Sequence, residues 1–168
     1  MPKTATKAAN NVFYKARMAA ATWNDRLNSR EGAAEVTGLD RTRLAYIELG
    51  TVNPHPEEVV ILADTYNAPE LYNHFCCKLC PLGVKTVSEI EITELERTVL
   101  QLLSSFKDLP NIKGDLIEIA ADGIIDTSEK PTMQEIIKKL DDAATKIQSL
   151  KVLFQKQFGG NAPAERGR

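Results

Sequence analysis

Residues 29–67 read SREGAAEVTGLDRTRLAYIELGTVNPHPEEVVILADTYN, and the punctuation of this stretch decides the fold. Ser29 is a good N-cap, because its hydroxyl accepts a backbone N–H that a helix start leaves orphaned, and REGAAEV follows as a short helix. Gly38 stands where that helix should end, since glycine adopts positive φ at little cost. Asp40 then caps RTRLAYIEL, which stops at Gly50. The loop TVNPHP follows, and Pro56 suits the first turn of a further helix, EEVVILADTY. Asn67-Ala68-Pro69 breaks the chain, and Pro69 opens ELYNHFCCKL. Upstream, residues 10–23 (NNVFYKARMAAATW) are Ala-rich with apolar residues at helical spacing, and the polar turn NDRLN joins them to Ser29. Five short helices are therefore expected within residues 9–80.

Downstream, Pro81 and Gly83 end this unit, and GVKTVSE reads as a linker. Helices are expected near 89–107 and 111–121, then a turn, DGIID, then a long helix over 132–157. In that last helix Met133, Ile136, Ile137, Leu140, Ala144, Ile147, Leu150, Leu153, Phe154 and Phe158 recur at steps of three and four, which predicts one broad apolar stripe. Residues 159–168 (GGNAPAERGR) read as a polar, disordered tail. No stretch sustains period-2 alternation, so the expected fold is all-α: a five-helix repressor-like domain over 9–80, then a C-terminal helical bundle over 88–158 that dimerises or meets a partner.

The central stretch has the grammar of a helix-turn-helix. Ala34 is small where two helices approach closely, Gly38 makes the tight turn, and Leu39, Leu44 and Ile47 supply core-facing positions with polar residues between them. Such a motif presents its second helix to a major groove. The run AAEVTGLDRTRLAYIELGTVNP resembles the XRE, or Cro/repressor-like, family of helix-turn-helix transcriptional regulators. The residues that carry the likeness are Ala34, Gly38, Ile47-Glu48-Leu49-Gly50, Asn53-Pro54, Leu62-Ala63 and the Asn67-Ala-Pro break, within residues 9–75. The whole also resembles a subgroup in which a Cys-containing segment and a helical C-terminal region follow the DNA-binding unit.

The resemblance implies sequence-specific binding of double-stranded DNA by a transcriptional regulator, a repressor. Arg41 and Thr42 stand at its base-reading positions, with Ala45 and Tyr46 on the same face; an arginine there can bond guanine O6 and N7 together. Ser29, Arg30, Arg43, Thr51 and Asn53 match positions that hold the phosphate backbone. Glu48 matches a structural acid, and Arg17 is its candidate partner. The turn at Asn24–Asn28 is longer than the family's usual connection, which bears on any first-helix contact.

Charge agrees with this polarity. The chain has net charge −2, yet residues 1–45 hold eight Lys or Arg against four Asp or Glu. A basic front and an acidic back would bring nucleic acid to the front. MPKTATKAANN has no apolar h-region, and no apolar run approaches the ~18–20 residues that span a bilayer, so the expected location is cytoplasmic, with no membrane partner. There is no phosphate loop, GxGxxG, HExxH or nucleophile elbow, and His55 and His74 have no evident catalytic partner, so no enzyme and no cofactor are expected.

His74, Cys76, Cys77 and Cys80 gather in HFCCKLC. They are candidate zinc ligands or a redox site, but no distant second ligand pair exists, and the alternative is that the thiols are small buried hydrophobes. A homodimer is expected through the C-terminal helices, because one copy reads few base pairs and the long stripe outruns its shorter neighbours. The competing reading is a protein–protein interaction module whose C-terminal region binds a partner.

Overall fold

A computed structural model of the chain describes residues 8–121 and 123–159. Residues 160–168 of the expected tail, and Asp122 in the DGIID turn, lie outside the described residues. Every regular element among the described residues is helical. No helix among them is long and apolar enough to cross a membrane. Two compact units divide the chain, one drawn from Met1–Val87 with Phe154–Arg168, the other from Ser88–Leu153.

In the first unit, α1 spans Val12–Ala20, α2 Arg30–Thr37, α3 Arg41–Leu49, α4 Pro56–Tyr66 and α5 Glu70–His74. The expected helix over 10–23 is thus shorter, because the side chain of Asn11 accepts from the N–H groups of Phe13 and Tyr14 and fixes the start there. The turn before Ser29 winds into a 3-10 helix, Asp25–Asn28. Its Arg26 carbonyl lies so near α2 that a Cβ on Gly32 would fall 2.0 Å from it, so only glycine fits at 32.

The run expected as one helix over 70–79 is two: α5 widens into a π-helix at Phe75–Leu79, closed by Cys80 N–H on the Phe75 carbonyl. The expected linker contains a helical turn, α6, Gly83–Thr86. A Cβ on Gly83 would stand 2.2 Å from the Cys76 carbonyl, so this turn packs on the π-helix only with glycine there. Phe13, Leu27, Leu44, Ile47, Leu62 and Leu71 form the buried centre of the unit.

The second unit holds α7, Leu95–Ser105, a 3-10 turn at Phe106–Asp108, and α8, Leu109–Ile119. Pro110 sits in the first turn of α8, where its missing N–H costs nothing. The long helix α9 runs over Lys130–Phe158. Its expected apolar stripe is buried only toward its start. Ile136 and Ala143, with half-buried Met133 and Leu140, lie on one face, whereas buried Ser149 and Val152 lie on the opposite one at 100° per residue. Ala144, Ile147, Phe154 and Phe158 are exposed. The reason is length: α8, through Ile112, Leu116 and Ile119, covers only the start of α9.

Candidate nucleic-acid interface

The helices α2 and α3 are set by their ends. Ser29 Oγ accepts from Gly32 N–H at 3.0 Å, and Asp40 Oδ1 accepts from Arg43 N–H at 2.9 Å. Between them Gly38 takes φ 72°, and its N–H closes α2 on the Ala34 carbonyl. Gly50, at φ 70°, ends α3 in the same way. Leu44 and Ile47 bury one side of α3, and the helix is thereby fixed in rotation.

That leaves Arg41, Thr42 and Tyr46 on the exposed side, with Ala45 half-buried between them. Ser29, Thr51 and Asn53 are exposed; Arg30 and Arg43 are half-buried. The four residues on α3 share one face. Ser29 and Arg30 come from the start of α2, and Thr51 and Asn53 from the loop after α3. Thr51 Oγ donates to the Tyr46 carbonyl at 3.1 Å, tying that loop to the helix end.

Each arginine of the group is already paired. Arg41 Nε donates to Glu31 Oε1 at 2.5 Å, with both side chains about 60% exposed. The Glu31 carboxyl is held below its ordinary value by its own backbone N–H and then by Arg41. Arg43 forks onto Glu58, Nε to Oε1 at 2.8 Å and Nη2 to Oε2 at 2.7 Å, and Nη2 also donates to the Asn53 carbonyl at 3.0 Å. Arg43 is raised and Glu58 lowered from their ordinary values, each chiefly by this hydrogen bond. Glu58 Oε2 further accepts from His55 N–H at 2.6 Å, so one carboxylate pins α3, the loop and the start of α4 together.

Beneath the face lies a charged triad. Glu48, 2% exposed, accepts from Arg17 Nε at 2.5 Å and Nη2 at 3.0 Å, and from Arg30 Nε at 2.7 Å. Arg17, 3% exposed, spends Nη1 on the Leu27 carbonyl at 2.7 Å. Burial works against the Arg17 charge, but the hydrogen bond and charge of Glu48 outweigh it and hold the guanidinium above its ordinary value. The pair expected from the sequence is formed despite the longer 24–28 turn, because that turn's Leu27 itself supplies an acceptor to Arg17. Glu31 and Glu58 were not expected here; Glu58, at the third position of a helix opened by His55-Pro56, carried a capping signal that could have flagged it.

The cysteine segment stands apart from this face. Cys77 is buried, Cys76 and Cys80 half-buried, and none of the three forms a disulfide. Cys77 Sγ lies 3.7 Å from Asn73 Oδ1, while His74 meets Phe13 edge to face with ring centres 6.0 Å apart. Among the described residues no three His, Cys, Asp or Glu side chains gather in a way that could hold a metal ion. No family model, no curated protein and no solved structure matches this chain.

Proposed function

We propose that the chain is a sequence-specific double-stranded DNA-binding protein, a transcriptional repressor of the XRE-like helix-turn-helix kind. In this reading α3 enters a major groove. The observation that carries it is the division of α3 into a buried side (Leu44, Ile47, Glu48) and an exposed side bearing Arg41 and Thr42 at its start and Tyr46 further along. A helix fixed in rotation and capped at both ends presents those groups with little freedom left to lose on binding. Arg41 is the principal base reader, Thr42, Ala45 and Tyr46 contribute beside it, and the start of α2 with Thr51 and Asn53 meets phosphates. Because Arg43 spends most of its donors on Glu58 and Asn53, it acts mainly by holding the loop in place.

The experiment is a titration of the full chain against duplexes selected from a random pool, at one fixed salt concentration. Arg41→Ala is expected to cost about 1–3 kcal/mol and to relax preference at one base pair. Equal affinity and equal selectivity in the variant would remove Arg41 from the assignment. No selected sequence at all would overturn the function.

The binding form proposed is a homodimer on a two-fold site. Support comes from the second unit, whose buried apolar centre is small while Leu100, Leu103, Ile117 and Ile137 stand between 45% and 67% exposed. So much apolar surface on a small unit is the signature of a face that another chain covers.

A further inference from the structure

Because α8 covers only the start of α9, the rest of that helix keeps an apolar face of its own. Ile137, Leu140, Ala144, Ile147, Lys151, Phe154 and Phe158 succeed one another at alternating steps of three and four within Lys130–Phe158. A mean step of about 3.5 residues is the repeat of a helix that winds against another helix. Ile137, Ile147, Phe154 and Phe158 are 38–67% exposed, Ala144 is exposed too, and Leu140 is half-buried. The seam is about 30 Å long at ~1.5 Å per residue. Apolar surface of that extent, left open along one helix, marks contact with another chain.

From Ile137 to Phe158 the seam has one charged position, Lys151, and it decides which way a second copy lies. In a parallel pair Lys151 would face Lys151, a like-charge layer inside an apolar seam. In an antiparallel pair whose two-fold axis passes between Thr145 and Lys146, Ile137 meets Phe154 of the second copy, Ala144 meets Ile147, and Lys151 meets Leu140. Small faces large next to the axis, so the two helices close without a void. The alkyl stem of Lys151 then lies along Leu140 and its ammonium reaches the edge of the seam. Asp141 stands at that edge, since at 100° per residue the line of 137, 144 and 151 runs between the line of 140, 147 and 154 and residue 141. Reversing one helix brings like edges together, so Lys151 of each copy arrives beside Asp141 of the other. Both side chains are exposed, and neither is in an ion pair among the described residues. Their neighbours are paired along the helix, Glu135 with Lys139 and Asp142 with Lys146.

We infer that the seam of α9 docks on the same seam of a second copy of the chain, antiparallel, with an Asp141–Lys151 pair on either side of the two-fold axis. This inference rests on the homodimer reading above and names its contact; it does not depend on the DNA contacts assigned to α3. Charge selects the direction, and the apolar layers supply most of the attraction.

Sedimentation equilibrium of the full chain over a concentration series gives the dimer dissociation constant for the parent, for Asp141→Lys, for Lys151→Asp, and for an equimolar mixture of the two variants. Each variant alone sets like charges beside each other at both places, and should weaken the dimer about tenfold or more, because the two-fold repeats the change. The mixture should return to the parent's constant, since a chain with two lysines then meets a chain with two aspartates. Recovery on mixing also shows that neither substitution damages its own helix. A monomeric parent refutes the homodimer itself, and this contact with it. A dimeric parent whose single variants dissociate no more readily than it does overturns the antiparallel seam alone, and a mixture tighter than that parent assigns the parallel pair instead. Variants that weaken the dimer and do not recover on mixing overturn the seam as well.

Discussion

Replacing Glu48 with glutamine keeps the shape of the side chain and removes its charge, so it isolates what the buried triad contributes. In the parent the carboxylate takes three guanidinium N–H bonds, two from Arg17 and one from Arg30. In Glu48→Gln the guanidinium of Arg17, 3% exposed, retains the Leu27 carbonyl but faces an amide in place of an anion. Breaking a buried ion pair from one side costs about 3–5 kcal/mol, because the charge left behind is unpaired; the oxygen that glutamine keeps places this variant near ~3. For a unit of this size that loss is a fall of roughly 12–24 °C in Tm. Arg17→Met combined with Glu48→Leu removes both buried charges and should cost only about 1 kcal/mol, mostly from the abandoned Leu27 carbonyl. Urea unfolding followed through Trp23 measures both variants in the unit that holds the triad. A loss below about 1 kcal/mol for Glu48→Gln, or a double variant worse than the single one, would refute the reasoning.

Four further outcomes are expected. Glu31→Gln frees Arg41 and should tighten specific DNA binding severalfold while leaving the melting temperature unchanged, since an exposed pair stabilises little; weaker binding in an anisotropy titration would assign Glu31 a positioning role instead. Glu58 has its folded pKa lowered by Arg43, so its stabilisation is complete above the ordinary value of 4.5 and is lost as pH falls below it. Glu58→Gln should therefore flatten the loss of stability below pH 4.5, and an unchanged acid limb in a pH series of melts would contradict this. Metal analysis of protein purified without chelator should find no stoichiometric zinc or iron, and unfolding on removal of such a metal would reverse the reading of Cys76, Cys77 and Cys80. Sedimentation equilibrium at micromolar concentration should give a dimer mass that falls to the monomer when residues 132–168 are deleted; a dimer surviving the deletion places the interface elsewhere.

The boundaries of α2 and α3 and the start of α4 were legible because each is written by a residue with one strong local preference. Ser29, Asp40, Gly38, Gly50 and Pro56 all stand at the ends that the sequence predicts. The Arg17–Glu48 pair was legible only through the family resemblance, since nothing local links residues 31 positions apart. What escaped is tertiary. The π-helix at Phe75–Leu79 and the turn at Gly83 depend on each other's backbone, and no spacing of apolar residues encodes that. On α9 the periodicity is real, but which of its faces is buried depends on how far α8 reaches. The carboxylates beside the predicted DNA-contacting arginines escaped for the same reason: Glu31 and Arg41 lie on different helices and meet only when Gly38 turns the chain.

Those carboxylates bear on how such a face would choose among sequences. If Arg41 were free, any phosphate would satisfy it, and the gain would be indifferent to base identity. Paired with Glu31, it would give up a charge-assisted hydrogen bond to reach DNA, so a partner of equal or better geometry would be favoured. Guanine, which offers O6 and N7 together to one guanidinium, is such a partner; a single phosphate oxygen is a poorer one. In the proposed complex Glu31 would also set a negative charge beside the approaching backbone and penalise every register in which Arg41 finds no guanine. On the proposed reading, non-specific binding would thus be suppressed more than specific binding. The two substitutions at this pair should therefore separate: Arg41→Ala narrows the gap between specific and random duplexes by weakening the first, while Glu31→Gln narrows it by strengthening the second more than the first. A Glu31→Gln protein with improved affinity and an undiminished ratio between the two duplexes would show that the carboxylate merely opposes binding and takes no part in selection.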